Sequence, residues 1–259
     1  MNGIVDLKLW QMAAAYVFVI VLLFIVKARG IAREKEIIIS TIRMTVQLIL
    51  TGYVLVYIFN NINPIFTIII VAIMEVFSIN NIFKRTKIKL WKSLKRIIAI
   101  SMMFGTLSSI LYFLLVVVNI SPWYDPRYFI PIAGMLIGNS MTGISLGVNS
   151  LVNDMHNKKH LVESALMLGA TPKMASKEIV DNAFDSAILP TINSMVGMGI
   201  IFLPGMMTGQ ILSGTSPLTS IEYQIAIMLG ILGSVAFTVI LFVQLGYKSF
   251  FNEKSQLIN

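Results

Sequence analysis

The sequence predicts an all-α, polytopic membrane protein with about seven transmembrane helices and one cytosolic helical hairpin. Of its 259 residues, 56% are hydrophobic and only 12% are charged, whereas about a quarter of the residues of soluble domains are charged. The mean hydropathy is +0.82. There is no cysteine, which excludes a disulfide scaffold and thiolate metal sites. We expect one transmembrane domain over residues 1–259.

Seven apolar runs approach or exceed the roughly 20 residues that a spanning helix needs. They are Leu9–Val26, Ile37–Phe59, Pro64–Phe83, Ile97–Val118, Phe129–Val152, Ser186–Met206 and Glu222–Tyr247. All the lysines and arginines except Lys8 and Arg127 fall on one side of this arrangement. Since basic loops stay in the cytoplasm, the N-terminus is predicted outside, and the C-terminus and the 153–185 segment inside. The first run lacks a small-residue cleavage pattern, so we interpret it as a span and not a signal peptide.

The net charge of +8 does not indicate nucleic-acid binding, because the basic residues lie in loops and not along one polar face. The most basic stretch, Lys84–Arg96, carries interleaved apolar residues: Ile88, Leu90, Trp91 and Leu94. It is typical of a cytosolic extension that contacts anionic lipid headgroups. A regulatory or nucleic-acid site is the alternative.

The fifth and sixth apolar runs contain glycines and a proline that affect helix packing or interrupt a helix. Gly134 and Gly138, and Gly143 and Gly147, have the spacing that lets a second helix approach closely. That helix belongs either to this chain or to a second copy at a dimer seam. Pro204-Gly205 interrupts the sixth run, and Pro204–Pro217 is predicted to be a bent or re-entrant stretch near the outer surface, beside a pathway.

The same region offers soft sulfur and amide or hydroxyl oxygen as weak cation ligands. These residues are Asn193, Met195, Met198, Met206, Met207, Thr208 and Gln210. Packing is the alternative role for the methionines. The only histidines, His156 and His160, have i, i+4 spacing but lack the glutamate of a zinc-protease helix. A tight metal site is therefore not expected, and no metal ligand is assigned.

Glu75 is the acidic residue placed deepest within a predicted span. An ionisable residue there is costly and is a candidate for function. At about 1.5 Å per residue, Arg43 lies ~9 Å and Glu75 ~12 Å from the cytosolic ends of their spans. The two residues form either a structural ion pair or part of a substrate or proton pathway, with Gln47 one turn further in.

The segment His160–Pro190 predicts a pair of short cytosolic helices. Leu161, Val162, Ala165, Leu166 and Leu168 fall close to one helical face, and Gly169 is predicted to end the first helix. Thr171 as N-cap and Pro172 at the first helical position start the second helix. We expect this apolar face to dock a soluble partner.

The hairpin resembles the EAA loop of ABC-transporter permeases. It has Glu163-Ser164-Ala165, then Gly169 and Ile179. Ser164 replaces an alanine of that pattern, and Leu189-Pro190 falls eight residues late. The run Leu189–Pro217 is more specific: it resembles FetB-like iron-export permeases and the membrane subunits of plant aluminium-tolerance half-transporters, and segment spacing fits that family over essentially the whole chain.

The resemblance implies the membrane subunit of an ABC transporter, itself not an enzyme, that works as a homodimer with a separate ATP-binding subunit and exports iron. The ATPase-coupling residues would be Leu161, Val162, Glu163, Ser164, Ala165, Leu166, Gly169 and Ala170. The chain has no G-x-x-x-x-G-K-[ST] loop, so ATP and Mg are expected on the partner. The alternatives are a permease for a nucleotide sugar, as the plant relatives imply, or another solute, and a membrane sensor coupled to an ATPase.

Overall fold

The computed structural model describes residues 6–86 and 90–258. Lys87, Ile88 and Lys89 of the predicted basic stretch, and the residues at the two extreme ends, lie outside the described residues. The described part contains eleven α-helices and no β-strand, which confirms the all-α prediction. It divides into two compact units: the first holds the described residues up to Ile62 together with Leu212–Thr215, and the second holds the rest.

The helices carry most of the described chain. In order they are α1 (Leu9–Ala15), α2 (Val17–Ala28), α3 (Glu34–Asn60), α4 (Pro64–Arg85), α5 (Lys92–Tyr112), α6 (Pro126–Asn157), α7 (Lys159–Met167), α8 (Pro172–Ala175), α9 (Lys177–Gly197), α10 (Gly205–Leu212) and α11 (Pro217–Gly246). A π-helical turn, Phe113–Val118, continues α5, and a 3-10 turn, Tyr247–Phe250, follows α11.

Six helical segments of the described residues are long and apolar enough to cross a membrane. They are Leu9–Ala28, Glu34–Asn60, Pro64–Arg85, Lys92–Val118, Pro126–Asn157 and Pro217–Phe250. Six of the seven predicted spans correspond to these segments, so the chain is a multi-pass membrane protein.

The predicted span Ser186–Met206 has a different structure. Helix α9 begins earlier, at Lys177, and ends at Gly197. The break follows because Gly199 adopts φ +85° and its N–H donates to the Phe202 carbonyl at 3.0 Å, which closes a tight turn. Pro204-Gly205 is not the break that the sequence suggested. The Pro204 carbonyl instead accepts from the Thr208 N–H at 2.9 Å and starts α10.

In the first unit, α1 and α2 form one nearly continuous span interrupted at Tyr16. The Tyr16 hydroxyl lies 2.6 Å from Thr45 Oγ1 of α3. Most of the apolar side chains of these three helices are exposed, as expected where lipid covers the surface.

In the second unit, α6 is the central helix and packs on α4, α5, α9 and α11. A Cβ atom at Gly143 would lie 2.8 Å from Val235 Cγ1 and 3.3 Å from the Ala187 carbonyl, and one at Gly147 would contact Ala187 at 3.4 Å. These two glycines therefore serve helix packing within the chain and not the seam between copies. A Cβ at Gly134 would lie 3.0 Å from Met74.

Candidate functional site

Helix α6 is long enough to place the next helices outside the bilayer. Its 32 residues span about 48 Å, compared with about 30 Å for the hydrocarbon core. The excess lies at its polar end, which includes Asn153, Asp154 and His156. Lys158 then caps α6 through its N–H, which donates to the Asp154 carbonyl at 2.8 Å, and α7 starts at the next residue.

The end of α7 is built as the sequence predicted. Gly169 has φ +90°, a left-handed conformation that glycine adopts without strain. The Gly169 N–H donates to the Leu166 carbonyl and the Ala170 N–H to the Ala165 carbonyl, both at 3.0 Å. This pair of bonds is a Schellman C-cap.

The second helix of the hairpin also starts as predicted. Thr171 Oγ1 accepts from the Met174 N–H at 3.3 Å, and Pro172 is the first helical residue. Helix α8 is only one turn long. The backbone bends at Ser176, whose hydroxyl is buried and donates to the Pro172 carbonyl at 2.7 Å, and then continues as α9.

The predicted apolar face of α7 is divided in two. Val162 is 1% exposed, and Leu166 packs against the core of the second unit. Leu161 and Leu168 point outward. The prediction of a single docking face was therefore wrong for Val162 and Leu166, because these two residues, one turn apart, attach the hairpin to the bundle.

The exposed apolar surface of the hairpin extends beyond the predicted residues. It consists of Leu161, Met167 (87% exposed), Leu168 (89%) and Met174, which we call the hairpin patch. Sequence reasoning missed Met167, because it falls outside the predicted apolar face of α7. It missed Met174, because the wheel of α7 alone does not show that the Gly169 turn presents α8 beside it. The remaining predicted coupling residues are Glu163, Ser164, Ala165 and Ala170, of which Ser164 is exposed and the other three are half-buried.

One ion pair joins the hairpin to α9, and a second lies within α7. Lys158 Nζ lies 2.8 Å from Glu178 Oε1, and Lys159 Nζ lies 3.8 Å from Glu163 Oε1. The hydrogen bond from Lys158 lowers the pKa of Glu178, and the same bond raises the pKa of Lys158. Both groups are near the surface, where solvent screening leaves such pairs little stabilising effect.

A second site lies inside the bundle of the second unit. Glu75 of α4 is 4% exposed, and its Oε2 lies 3.0 Å from Thr106 Oγ1 of α5. Its other oxygen, Oε1, is buried and has no hydrogen-bond partner among the described residues. Thr106 was not predicted from the sequence, since a threonine in an apolar run gives no signal of its own. Arg43 belongs to the first unit, so its pairing with Glu75 stays a prediction.

The other predicted pathway residues lie at the turn between α9 and α10. Met195, Met198 and Met206 pack partly against the core, Met207 is buried and Asn193 is exposed. Gln224 Nε2 of α11 lies 3.8 Å from Met198 Sδ. Helix α9 packs on α6 and α11, whereas Glu75 lies between α4 and α5. The structure therefore supports two separate places and not one combined site. Gln210 is half-buried.

Two features predicted from the sequence remain, the basic stretch and the pair of histidines. Leu90 and Leu94 of the basic stretch are buried, and the Trp91 ring packs edge-on against Phe250 at 4.8 Å, so these apolar residues face the protein. The part of the chain that the structure describes holds no group of three or more His, Asp and Glu side chains suited to a metal ion.

A multi-pass helical membrane protein with an exposed apolar hairpin is the class that the fold and this surface define. The chain belongs to the uncharacterised protein family UPF0014, whose match covers residues 9–251. This confirms the predicted resemblance, because its relatives include both FetB and a plant aluminium-sensitivity protein.

Three relatives show how far the similarity extends. The UPF0014 membrane protein YjkA of Bacillus subtilis is 35% identical over 95% of this chain and 97% of its own length. The Escherichia coli protein named "Probable iron export permease protein FetB" is 33% identical over 96% of this chain and 94% of its own. ALUMINUM SENSITIVE 3 of Arabidopsis thaliana is 37% identical over 95% and 88%. No solved structure matches the chain.

Proposed function

We propose that this protein is the permease subunit of an ABC transporter that exports iron, or another metal ion, from the cytoplasm. A separate ATP-binding subunit would dock on the hairpin patch and supply ATP hydrolysis, so that this chain itself catalyses no reaction. The single observation that carries the proposal is the hairpin patch: Met167, the last residue of α7, and Leu168, its C-cap, are almost fully exposed apolar side chains outside the spans.

Exposing apolar side chains to water is unfavourable in free energy, and a bound partner that covers them removes this cost. Leucine and methionine side chains packed into a groove of a partner are the usual form of helix recognition. The family supports the nature of the partner, because one relative carries the name of an iron export permease. In the proposed orientation the N-terminus is outside, while the C-terminus and the hairpin are cytoplasmic, as the basic loops predict. This orientation requires the broken segment of α9 and α10 to make a seventh crossing beside the six long spans.

The contacts that join α7 to the bundle indicate how a movement of the ATP-binding subunit would reach the spanning helices. Val162 and Leu166 fix α7 to the core, and Lys158 bonds to Glu178 on α9. A movement of the ATP-binding subunit would therefore displace the ends of α6 and α9 together. We propose a homodimer of this chain with two ATP-binding subunits, whose closure tilts these helices and alternately exposes two places, one near Glu75 and one at the 193–210 segment.

Reconstitution tests the proposal. We would purify the chain with an ATP-binding subunit encoded beside it, place both in liposomes, and measure ATP hydrolysis with Fe(II), other divalent ions and UDP-glucose. Hydrolysis that requires this chain and rises with Fe(II) supports iron export. Stimulation by UDP-glucose alone moves the substrate to a nucleotide sugar. Hydrolysis that is indifferent to this chain contradicts the docking role of the hairpin.

A further inference from the structure

The contacts of Glu75 bear on whether its carboxyl or the Thr106 hydroxyl donates the hydrogen bond between them. Thr106 Oγ1 lies 2.7 Å from the Met102 carbonyl and 3.0 Å from Glu75 Oε2. A carbonyl only accepts hydrogen bonds, and a threonine hydroxyl has a single hydrogen to donate. That single hydrogen can point directly at only one of the two oxygens. When its hydrogen points to the shorter contact, Met102, the remaining contact is a hydrogen bond only if the Glu75 carboxyl donates.

The second oxygen of the carboxyl leads to the same assignment. Glu75 Oε1 is fully enclosed and lacks a hydrogen-bond partner among the described residues. An ionised carboxylate in that position would bury a charge on an oxygen with no donor, which is far more costly than burying the carbonyl oxygen of a neutral acid. In a neutral carboxyl, Oε2 is the hydroxyl oxygen and Oε1 is the carbonyl oxygen.

We propose that Glu75 is a proton-binding site inside the transmembrane bundle, which holds its proton on Oε2 and donates it to Thr106 Oγ1. The proton joins α4 to α5 by a hydrogen bond between uncharged groups. Any movement that separates these two helices removes the acceptor of this hydrogen bond. The neutral carboxyl is then less stable, which favours release of the proton or its exchange for a cation.

No charged neighbour on the packed helices replaces the proton. Helices α5 and α6 pack against α4, and the other ionisable side chains of the three helices lie towards their ends: Lys84, Arg85, Lys92, Lys95, Arg96, Tyr112, Arg127, Tyr128, Asp154 and His156. On α4, Lys84 is nine residues from Glu75, about 13 Å along the axis. Tyr112, six residues beyond Thr106 on α5, is exposed.

Infrared difference spectroscopy on the full chain in lipid, without any ATP-binding subunit, tests the assignment. We expect a carbonyl stretching band of a neutral carboxylic acid at neutral pH that disappears in Glu75→Gln. The matched control is Glu222→Gln, which removes an exposed carboxyl of α11 and should leave that band in place. Loss of ionised-carboxylate bands alone in Glu75→Gln would overturn the proposal and favour the ion pair with Arg43.

Thr106→Val provides a second arm that does not depend on the folding of Glu75→Gln. Valine has nearly the shape of threonine but cannot accept the hydrogen bond. We expect the acid band to remain and to move to higher frequency, because its O–H has lost its acceptor. An unchanged spectrum would overturn the proposal. Since no ATP hydrolysis or transport is measured, the outcome is independent of the proposed export function.

Discussion

The transmembrane bundle and the hairpin place polar and apolar side chains in opposite ways. Inside the bundle, Ser140 and Ser234 are buried and lie 3.0 Å apart, and Glu75 is enclosed beside Thr106. On the hairpin, Met167 and Leu168 are almost fully exposed. Polar groups in a bilayer must find partners within the protein, whereas apolar groups in water can leave theirs to another molecule. The Ser140–Ser234 contact and the contact of Glu75 Oε2 with Thr106 are therefore made within the bundle, whereas the apolar side chains of the hairpin patch have no such neighbours among the described residues.

This difference predicts that substitutions in the bundle change folding, while substitutions in the hairpin patch change association. The largest effect is expected at Gly105 of α5, where an added Cβ would overlap the Thr238 side chain and approach its Cα within 2.7 Å. Gly105→Val forces α5 away from α11. We expect a loss of roughly 3 kcal/mol in the free energy of unfolding, seen as a lower midpoint of thermal unfolding and a smaller yield of monodisperse protein.

Gly138→Val on α6 is the matched control, because nothing lies within 4 Å of a Cβ built there. Its thermal midpoint should remain close to that of the wild type. Equal losses in the two variants would show that any valine is harmful in these helices, and that the close crossing of α5 and α11 is not the reason.

The next largest effect is expected for the double variant Met167→Ser, Leu168→Ser. If the hairpin patch docks a partner, its two most exposed members are candidates for the few residues that carry most of the binding energy. We expect the affinity for the ATP-binding subunit to fall at least about tenfold, with no change in thermal midpoint. Binding would be measured by surface interferometry on protein in nanodiscs.

Leu7→Ser controls for the loss of an exposed leucine, since Leu7 is exposed and lies outside the hairpin. It should bind the ATP-binding subunit as the wild type does. A double variant that binds normally would show that the ATP-binding subunit docks on another surface.

The same comparison explains what the sequence could predict. The positions of the spans and of the hairpin follow from long-range composition, so six of the seven predicted spans and the Gly169 turn were found correctly. The division of α7 was not, because Val162 and Leu161 have the same chemistry and only the packed neighbours decide which is buried. The break before α10 was placed too late, since Pro204 was taken as the interruption while Gly199 makes the turn.

The polar site in the bundle shows the same limit. Glu75 is conspicuous in the sequence because a carboxyl in an apolar run is rare. Its partner Thr106 lies 31 residues away and is one of many threonines and serines in the spans. Pairing across helices depends on their rotation, which the apolar pattern of a spanning helix leaves almost undetermined, because these helices are apolar on most sides.

A smaller effect is expected when the turn of the hairpin is strained. Gly169→Ala places a Cβ in a left-handed conformation, at a cost of roughly 1 kcal/mol, which should loosen the C-cap of α7. Hydrogen exchange should become faster at the amides of Gly169 and Ala170, whose bonds close the turn. The control is Gly209→Ala on α10, where nothing lies within 4 Å. Faster exchange throughout the bundle would mean that the hairpin is not a separate unit.

The smallest effect concerns the ion pair that joins the hairpin to α9. The pKa of Glu178 is lowered by its bond to Lys158, so the stabilising effect of this pair is present above the ordinary glutamate value of 4.5 and is lost as the pH falls through the lower, folded pKa. Because the pKa of Lys158 is raised, the stabilising effect of the pair is lost in alkali only as the pH rises above 10.5.

We therefore expect hydrogen exchange at the start of α9 to accelerate modestly as the pH falls below 4.5 in the wild type, beyond the intrinsic pH dependence of exchange. Glu178→Gln should show the faster exchange already at neutral pH and no further acceleration in acid. Lys177→Gln, which breaks the neighbouring pair with Asp181 within α9, should retain the acid dependence attributed to Glu178. If it loses that dependence as well, the effect belongs to the general charge of the helix start and not to the bond between hairpin and bundle.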